Sequence, residues 1–144
     1  MTMNDLQSLQ EQLSLIMDSD KVKLIDAKNI VDSYEGNDWN KYVKFDENYY
    51  NRSPIYLGDK FDIFVISWKK GQKSKIHDHP SRGCLMKVLK GELFENNYMK
   101  DSLLTPISSM NLRQGQIGYK ESNSILHEIY SAEDSVSLHV YSPG

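Results

Sequence analysis

The chain has 144 residues, with 17 basic and 20 acidic side chains for a formal net charge of −3, four histidines and one cysteine. One cysteine cannot pair within its own chain, which excludes a disulfide-stapled scaffold and suits a reducing compartment, the cytoplasm by default. The missing basic excess excludes nucleic acid as a partner, and no apolar run reaches the about 20 residues of a membrane-spanning helix.

The N-terminus, MTMNDLQSLQ, has no basic start followed by an apolar core, so a soluble, untargeted protein is expected. Leu6, Leu9, Leu13, Ile16 and Met17 recur at three- and four-residue spacing behind Asn4-Asp5, which predicts a capped amphipathic helix. A second, shorter helix is expected from about Lys21 to Val31, with Asp20 as its cap. Gly36-Asn37-Asp38 then interrupts, and a third helical piece is expected around Trp39 to Val43. From about Tyr56 the period becomes two: Phe61, Ile63 and Val65 alternate with Asp62, Phe64 and Ile66. Lys90-Gly91 separates CLMKVL from ELFENNYM as a hairpin turn would. SLLTPISS, GQIGYK, ILHEIY and SVSLHVYS complete about seven or eight strands, the pattern of a β-sandwich or small barrel. Nothing divides the chain, so residues 1–144 are expected to form one domain, with a helical layer over 1–45 packed outside a barrel over 55–144.

The informative side chains are the histidines. In a strand, residues i and i+2 share a face about 6.6 Å apart, so His77 and His79 of KIHDHP can be neighbouring ligands of one metal ion. His127, in SILHEIY, falls on another strand that can lie opposite inside a barrel. In SVSLHVYS, Ser137, His139 and Tyr141 share one face and Val136, Leu138 and Val140 the other, which makes a polar inner row. Phe61, Phe64 and Trp68 read as core, and Trp39 as a packing anchor between the helices and the barrel.

Gly71, His77, His79 and Gly91 make the pattern G-x5-H-x-H-x11-G, which resembles the first signature of the cupin superfamily, small jelly-roll β-barrels with a metal in the mouth. In the usual cupin pattern a glutamate follows the second histidine by five residues, and here that residue is Cys84. With that cysteine, the segments W-x-x-Y-x-K-F-D from Trp39, Tyr50-x-Arg52, IHDHPSRGC, VLKGEL and VSLHVYSP are similar, in family order, to those of the cysteine dioxygenases. The likeness runs from Trp39 to Pro143 and is weakest around His127, where the second cupin signature lacks its glycine and proline. Animal members continue past the tyrosine segment, whereas this sequence ends at Gly144, so whatever cover those residues provide is expected to be absent or replaced.

The resemblance implies an iron(II) ion on His77, His79 and His127, and L-cysteine and O2 as the small-molecule partners, joined to give cysteine sulfinic acid; a monomer is the expected working unit. Three neutral imidazoles leave a divalent ion its full charge, and coordination strips the proton from a thiol. The resemblance also implies that Arg52 receives the substrate carboxylate beside Tyr50, an assignment that suits a planar, always-charged fork; Arg82 is the alternative. It further implies a thioether between Cys84 and Tyr141, with Ser137 and His139 orienting the phenol. Other readings stay open: a dioxygenase of 3-mercaptopropionate or cysteamine, a non-enzymatic metal-binding cupin, or a zinc site of the same ligand set.

Overall fold

A computed structural model describes residues 2–121 and 125–143; Met1, Ser124 at the head of SILHEIY, and Gly144 lie outside the described residues. The helix α1 (Leu6–Met17) starts where the apolar spacing starts, and the Asp5 side chain accepts the Ser8 backbone N–H at 2.7 Å. This satisfies one of the donors that a helix N-terminus leaves unpaired. Leu6, Leu9, Leu13 and Met17 form its buried stripe, each side chain contributing about 1.5–3 kcal/mol by leaving water.

The second helical stretch differs from the expectation. It is a 3-10 turn at Leu24–Ala27 running into the short helix α2 (Lys28–Asp32). Asp20 is not its cap. That carboxylate pairs with Lys60 at 2.7 Å, and the Asp26 side chain instead takes the Lys23 backbone N–H. A further 3-10 turn spans Asp38–Tyr42, and Trp39 packs against the core beneath the helices.

Eight strands follow among the described residues: β1 (Asn51–Leu57), β2 (Asp62–Trp68), β3 (Cys84–Lys90), β4 (Glu92–Met99), β5 (Pro106–Arg113), β6 (Ile117–Lys120), β7 (Ile125–Ser131) and β8 (Ser135–Tyr141). One sheet has the order β1-β2-β8-β3-β6, the other β5-β4-β7. The first strand therefore begins at Asn51, earlier than the alternation had suggested, because Arg52 and Ser53 already pair with Ile66 and Val65.

Alternation explains the layers. In β2 and β8, Ile63, Val65, Val136, Leu138 and Val140 face the helices and join the α1 stripe in one core. Ile66 and Trp68, with Met86 and Val88 of β3, Leu93, Leu112 and Ile129, fill the barrel interior. The central strand β8 is thus buried on both faces except at its end. Its inner face is the polar row Ser135, Ser137, His139 and Tyr141, as the sequence pattern requires.

The Lys90-Gly91 turn is not a hairpin. Strand β3 pairs with β8 and β6, whereas β4 pairs with β5 and β7. Gly91, at φ +84°, lies so close to Ser135 that a Cβ would approach its Oγ to 2.3 Å. The Glu92 N–H donates to that oxygen, which anchors the chain as it leaves one sheet for the other.

Candidate metal centre

The segment carrying His77 and His79 is not a regular strand. It runs antiparallel to β7 through isolated bridges, Lys73 with Tyr130 and His77 with His127. His77 and His127 exchange both backbone hydrogen bonds, each at 2.9 Å. Between the bridges the ladder is broken because the Ser74 hydroxyl, rather than a carbonyl, accepts the Ile129 N–H. The two imidazoles are therefore brought to one place by loop geometry and a two-residue pairing, not by strand alternation.

Ring nitrogens of His77, His79 and His127 all lie within 4.8 Å of one another, a separation that one ion can bridge. Ring centroids are 5.7, 4.5 and 4.0 Å apart for the pairs 77–79, 77–127 and 79–127. Nδ1 of His77 donates to the Lys75 carbonyl at 2.7 Å, and Nδ1 of His127 donates to the Glu95 carboxylate at 2.8 Å. Each hydrogen bond commits the ring proton to Nδ1 and leaves Nε2 with a bare lone pair. Those two Nε2 atoms face each other at 2.9 Å. Two bare lone pairs at that distance repel, and a shared cation, a proton or a metal ion, removes the conflict. His79 is buried, and among the described residues neither of its ring nitrogens has a hydrogen-bond partner, a state that costs about 1–3 kcal/mol per orphaned group unless a ligand takes it up. Burial holds His77 below its usual range, and burial together with the positive potential of His127 and His77 takes His79 down to about 3. Neutral imidazoles with free nitrogens are the donor set of a divalent transition metal, so the residues fit one.

The centre opens on a cavity of about 780 Å³. His77, His127, His139, Tyr141, Tyr50 and Arg52 line it. Tyr50 stacks on Trp68 with centroids 4.5 Å apart. The Arg52 guanidinium lies 4.2 Å above the Phe64 ring and 5.5 Å from that of Tyr141, which holds a cation at the wall with no carboxylate partner among the described residues. Arg82, the alternative, is engaged elsewhere: its guanidinium donates to the carbonyls of Ser19 and Val22 in the helical layer. It does not line the cavity.

The inner row of β8 forms a directed chain. The Trp68 indole N–H donates to Ser137 Oγ at 3.0 Å, and Ser137 Oγ lies 2.7 Å from His139 Nε2. With the indole donating to Ser137 Oγ, the orientation in which the serine hydroxyl donates onward to Nε2 makes one continuous chain. His139 then carries its proton on Nδ1, 3.2 Å from the Tyr141 hydroxyl. The tyrosine oxygen accepts there, and its own O–H is free to point into the cavity. Burial keeps His139 well below its ordinary range, so the ring stays neutral. Cys84 and Tyr141 are direct register partners on β3 and β8. Burial, then the Glu95 charge, pushes the Cys84 thiol up to about 12; burial, then Cys84, raises Tyr141, with Arg52 opposing.

Two side chains at the centre have no place in the motif reading: Glu95 and Lys120. Burial pushes the Glu95 carboxyl up, but the His127 hydrogen bond and the adjacent Lys120 ammonium outweigh it and hold the group at about 2. The signal was present in ELFENNYM, where alternation puts a glutamate on the same phase as Leu93, the face that must turn inward. Trp68 belongs to the core, as expected, and also starts the hydrogen-bond chain.

The two facing sheets and the histidine centre define a cupin-type barrel with a three-histidine site. Solved structures agree on the fold: TT1209 from Thermus thermophilus aligns with a TM-score of 0.63 at 17% identity, covering 76% of this chain and 97% of that one. An RmlC-like cupin protein from Desulfovibrio desulfuricans aligns at 0.59 and 20% identity, covering 76% and 96%. The family model for cysteine dioxygenase type I matches residues 1–144. Cysteine dioxygenase type 1 of Danio rerio is 33% identical over 149 aligned residues, 96% of this chain and 74% of that protein. The human protein of the same name is 32% identical over 152, covering 99% and 74%. The chain belongs to the cysteine dioxygenase type I family.

Proposed function

We propose that the chain is an iron(II)-dependent dioxygenase that adds both atoms of O2 to the sulfur of L-cysteine, giving cysteine sulfinic acid. The observation that carries this reading is the convergence of three imidazoles beside a cavity whose wall holds an arginine and a buried tyrosine. An iron(II) ion on His77, His79 and His127 would supply thiol ligation and dioxygen activation.

The chain's own residues supply the rest. Arg52 offers paired donors to the substrate carboxylate and, stacked on Phe64, loses little freedom when it binds. Tyr50, held by Trp68, flanks the same place. The Tyr141 hydroxyl, oriented through His139 and Ser137, donates into the cavity. Ile66, Trp68 and Ile129 keep the wall beneath apolar and exclude water. Cys84 and Tyr141, opposed across β3 and β8, are the pair that a thioether would join, with dioxygen taking the two hydrogens and electrons released. One thiol, buried, suits a reducing cytoplasm, and the working unit is read as the monomer. Among the described residues no helix is long and apolar enough to cross a membrane.

The test is to load the purified chain anaerobically with iron(II), supply L-cysteine, 3-mercaptopropionate or cysteamine in separate reactions, and follow oxygen uptake with sulfinate formation. Stoichiometric uptake with L-cysteine is expected. Uptake only with 3-mercaptopropionate or cysteamine would reassign the substrate, and no uptake with iron bound would end the enzymatic reading.

A further inference from the structure

Glu95 is 2% exposed and sits on β4, whose register places Asn97 opposite His127 and Glu95 opposite Ile129. It thus approaches His127 on the diagonal, within reach of a long side chain. One carboxylate oxygen, Oε2, is 2.8 Å from His127 Nδ1. The other, Oε1, is 2.9 Å from the Lys120 ammonium. Lys120 stands on β6 of the opposite sheet, as the register partner of Cys84. The ion pair therefore crosses the barrel and ties the two sheets together directly behind one imidazole of the centre.

A buried charge pair is an expensive way to hold two sheets, because the desolvation penalty is comparable to the attraction regained. Its arrangement has a different consequence for the site. A carboxylate on Nδ1–H makes the ring a stronger donor at Nε2. Left alone, it would place a full negative charge one ring away from the ion and bring the centre towards the character of a two-histidine, one-carboxylate site. The ammonium on Oε1 cancels that charge while leaving the hydrogen bond in place.

We infer that Glu95 and Lys120 act as opposed positioning residues for His127: the carboxylate fixes the ring with Nε2 towards the site and raises its donor strength, and the ammonium limits that rise so that the ion keeps its Lewis acidity. The inference rests on the reading of His77, His79 and His127 as a metal centre.

The experiment titrates the 144-residue chain and its variants with cobalt(II) and, anaerobically, with iron(II) against a competing chelator. Glu95→Gln is expected to weaken binding by about 10–100-fold. Lys120→Met, which keeps the apolar stem, is expected to tighten it a few-fold, and Lys120→Arg to leave it near the parent value. The iron midpoint potential should move up in Glu95→Gln and down in Lys120→Met. Without any metal, nitrogen NMR should find the His127 proton on Nδ1 in the parent and divided between the two nitrogens in Glu95→Gln. A merely structural pair would move both variants the same way. Weakening in both, or no change in either, overturns the inference. Should Glu95→Gln not fold, the sign of the change in Lys120→Met against Lys120→Arg decides. A parent chain that binds no metal overturns the metal-centre reading, and this inference with it; a parent that binds with unresponsive variants overturns this inference alone.

Discussion

Ser137→Ala removes one oxygen from a buried hydrogen-bond chain. Ser137 is fully buried, and its hydroxyl links the Trp68 indole to His139 Nε2. Alanine leaves a buried N–H without an acceptor and a buried ring nitrogen without a donor. Each orphaned group costs about 1–3 kcal/mol, so a loss of about 2–4 kcal/mol is expected after partial relaxation. For a domain of this size that lowers Tm by roughly 6–15 °C in a thermal scan. The larger consequence is direction. Without the serine proton on Nε2, His139 is free to carry its proton there and accept at Nδ1, so the Tyr141 hydroxyl donates backwards to the ring instead of into the cavity. In the oxygen-uptake assay with L-cysteine, kcat should fall on the order of tenfold or more. Trp68→Phe is the control, since it also costs stability but leaves Ser137 donating to His139, and most of kcat should survive. A Ser137→Ala enzyme with lowered Tm and unchanged kcat would refute the directed chain and leave only packing.

Three other outcomes follow from the same geometry. Arg52→Gln removes the charged fork from the cavity wall and should raise KM for L-cysteine by roughly 10–100-fold with a smaller change in kcat, as expected for a charge-assisted hydrogen bond of about 1.5–3 kcal/mol; equal KM values would deny it the carboxylate. Intact mass after turnover should reveal a species lighter by two hydrogens that is absent in Cys84→Ser. Gly83→Ala should unfold or badly destabilise the protein by circular dichroism, because Gly83 has φ +93° and a Cβ would approach the Lys120 carbonyl oxygen to 1.7 Å.

Local periodicity carried much of the fold. The i, i+3, i+4 spacing of Leu6, Leu9 and Leu13 and the strict alternation of SVSLHVYS each describe one face of one element against one core, and both appear in the structure as read. What local pattern cannot carry is partnership between distant segments. Lys90-Gly91 looks like a hairpin because a turn and two strands surround it, yet the contact that directs the chain to the other sheet comes from Ser135. The histidine clip was legible as HxH, but its geometry depends on backbone pairing with His127, fifty residues away. Arg52 was favoured over Arg82 through the resemblance of its flanking segment, and the structure separates them in space: Arg52 lines the cavity, and Arg82 is taken up by the carbonyls of Ser19 and Val22. Glu95 broke the apolar phase of its own strand, whereas Lys120 stands at a strand end and gave no such sign.

The central claim is that His77, His79 and His127 hold one divalent ion open to a thiol. X-ray absorption of the iron(II)-loaded chain, recorded anaerobically before and after L-cysteine, tests it most directly. One iron per chain is expected, with three imidazole nitrogens among its neighbours and a sulfur neighbour added by L-cysteine. Iron that retains its imidazole count when any one of the three histidines is changed to alanine, or that gains no sulfur, would contradict it.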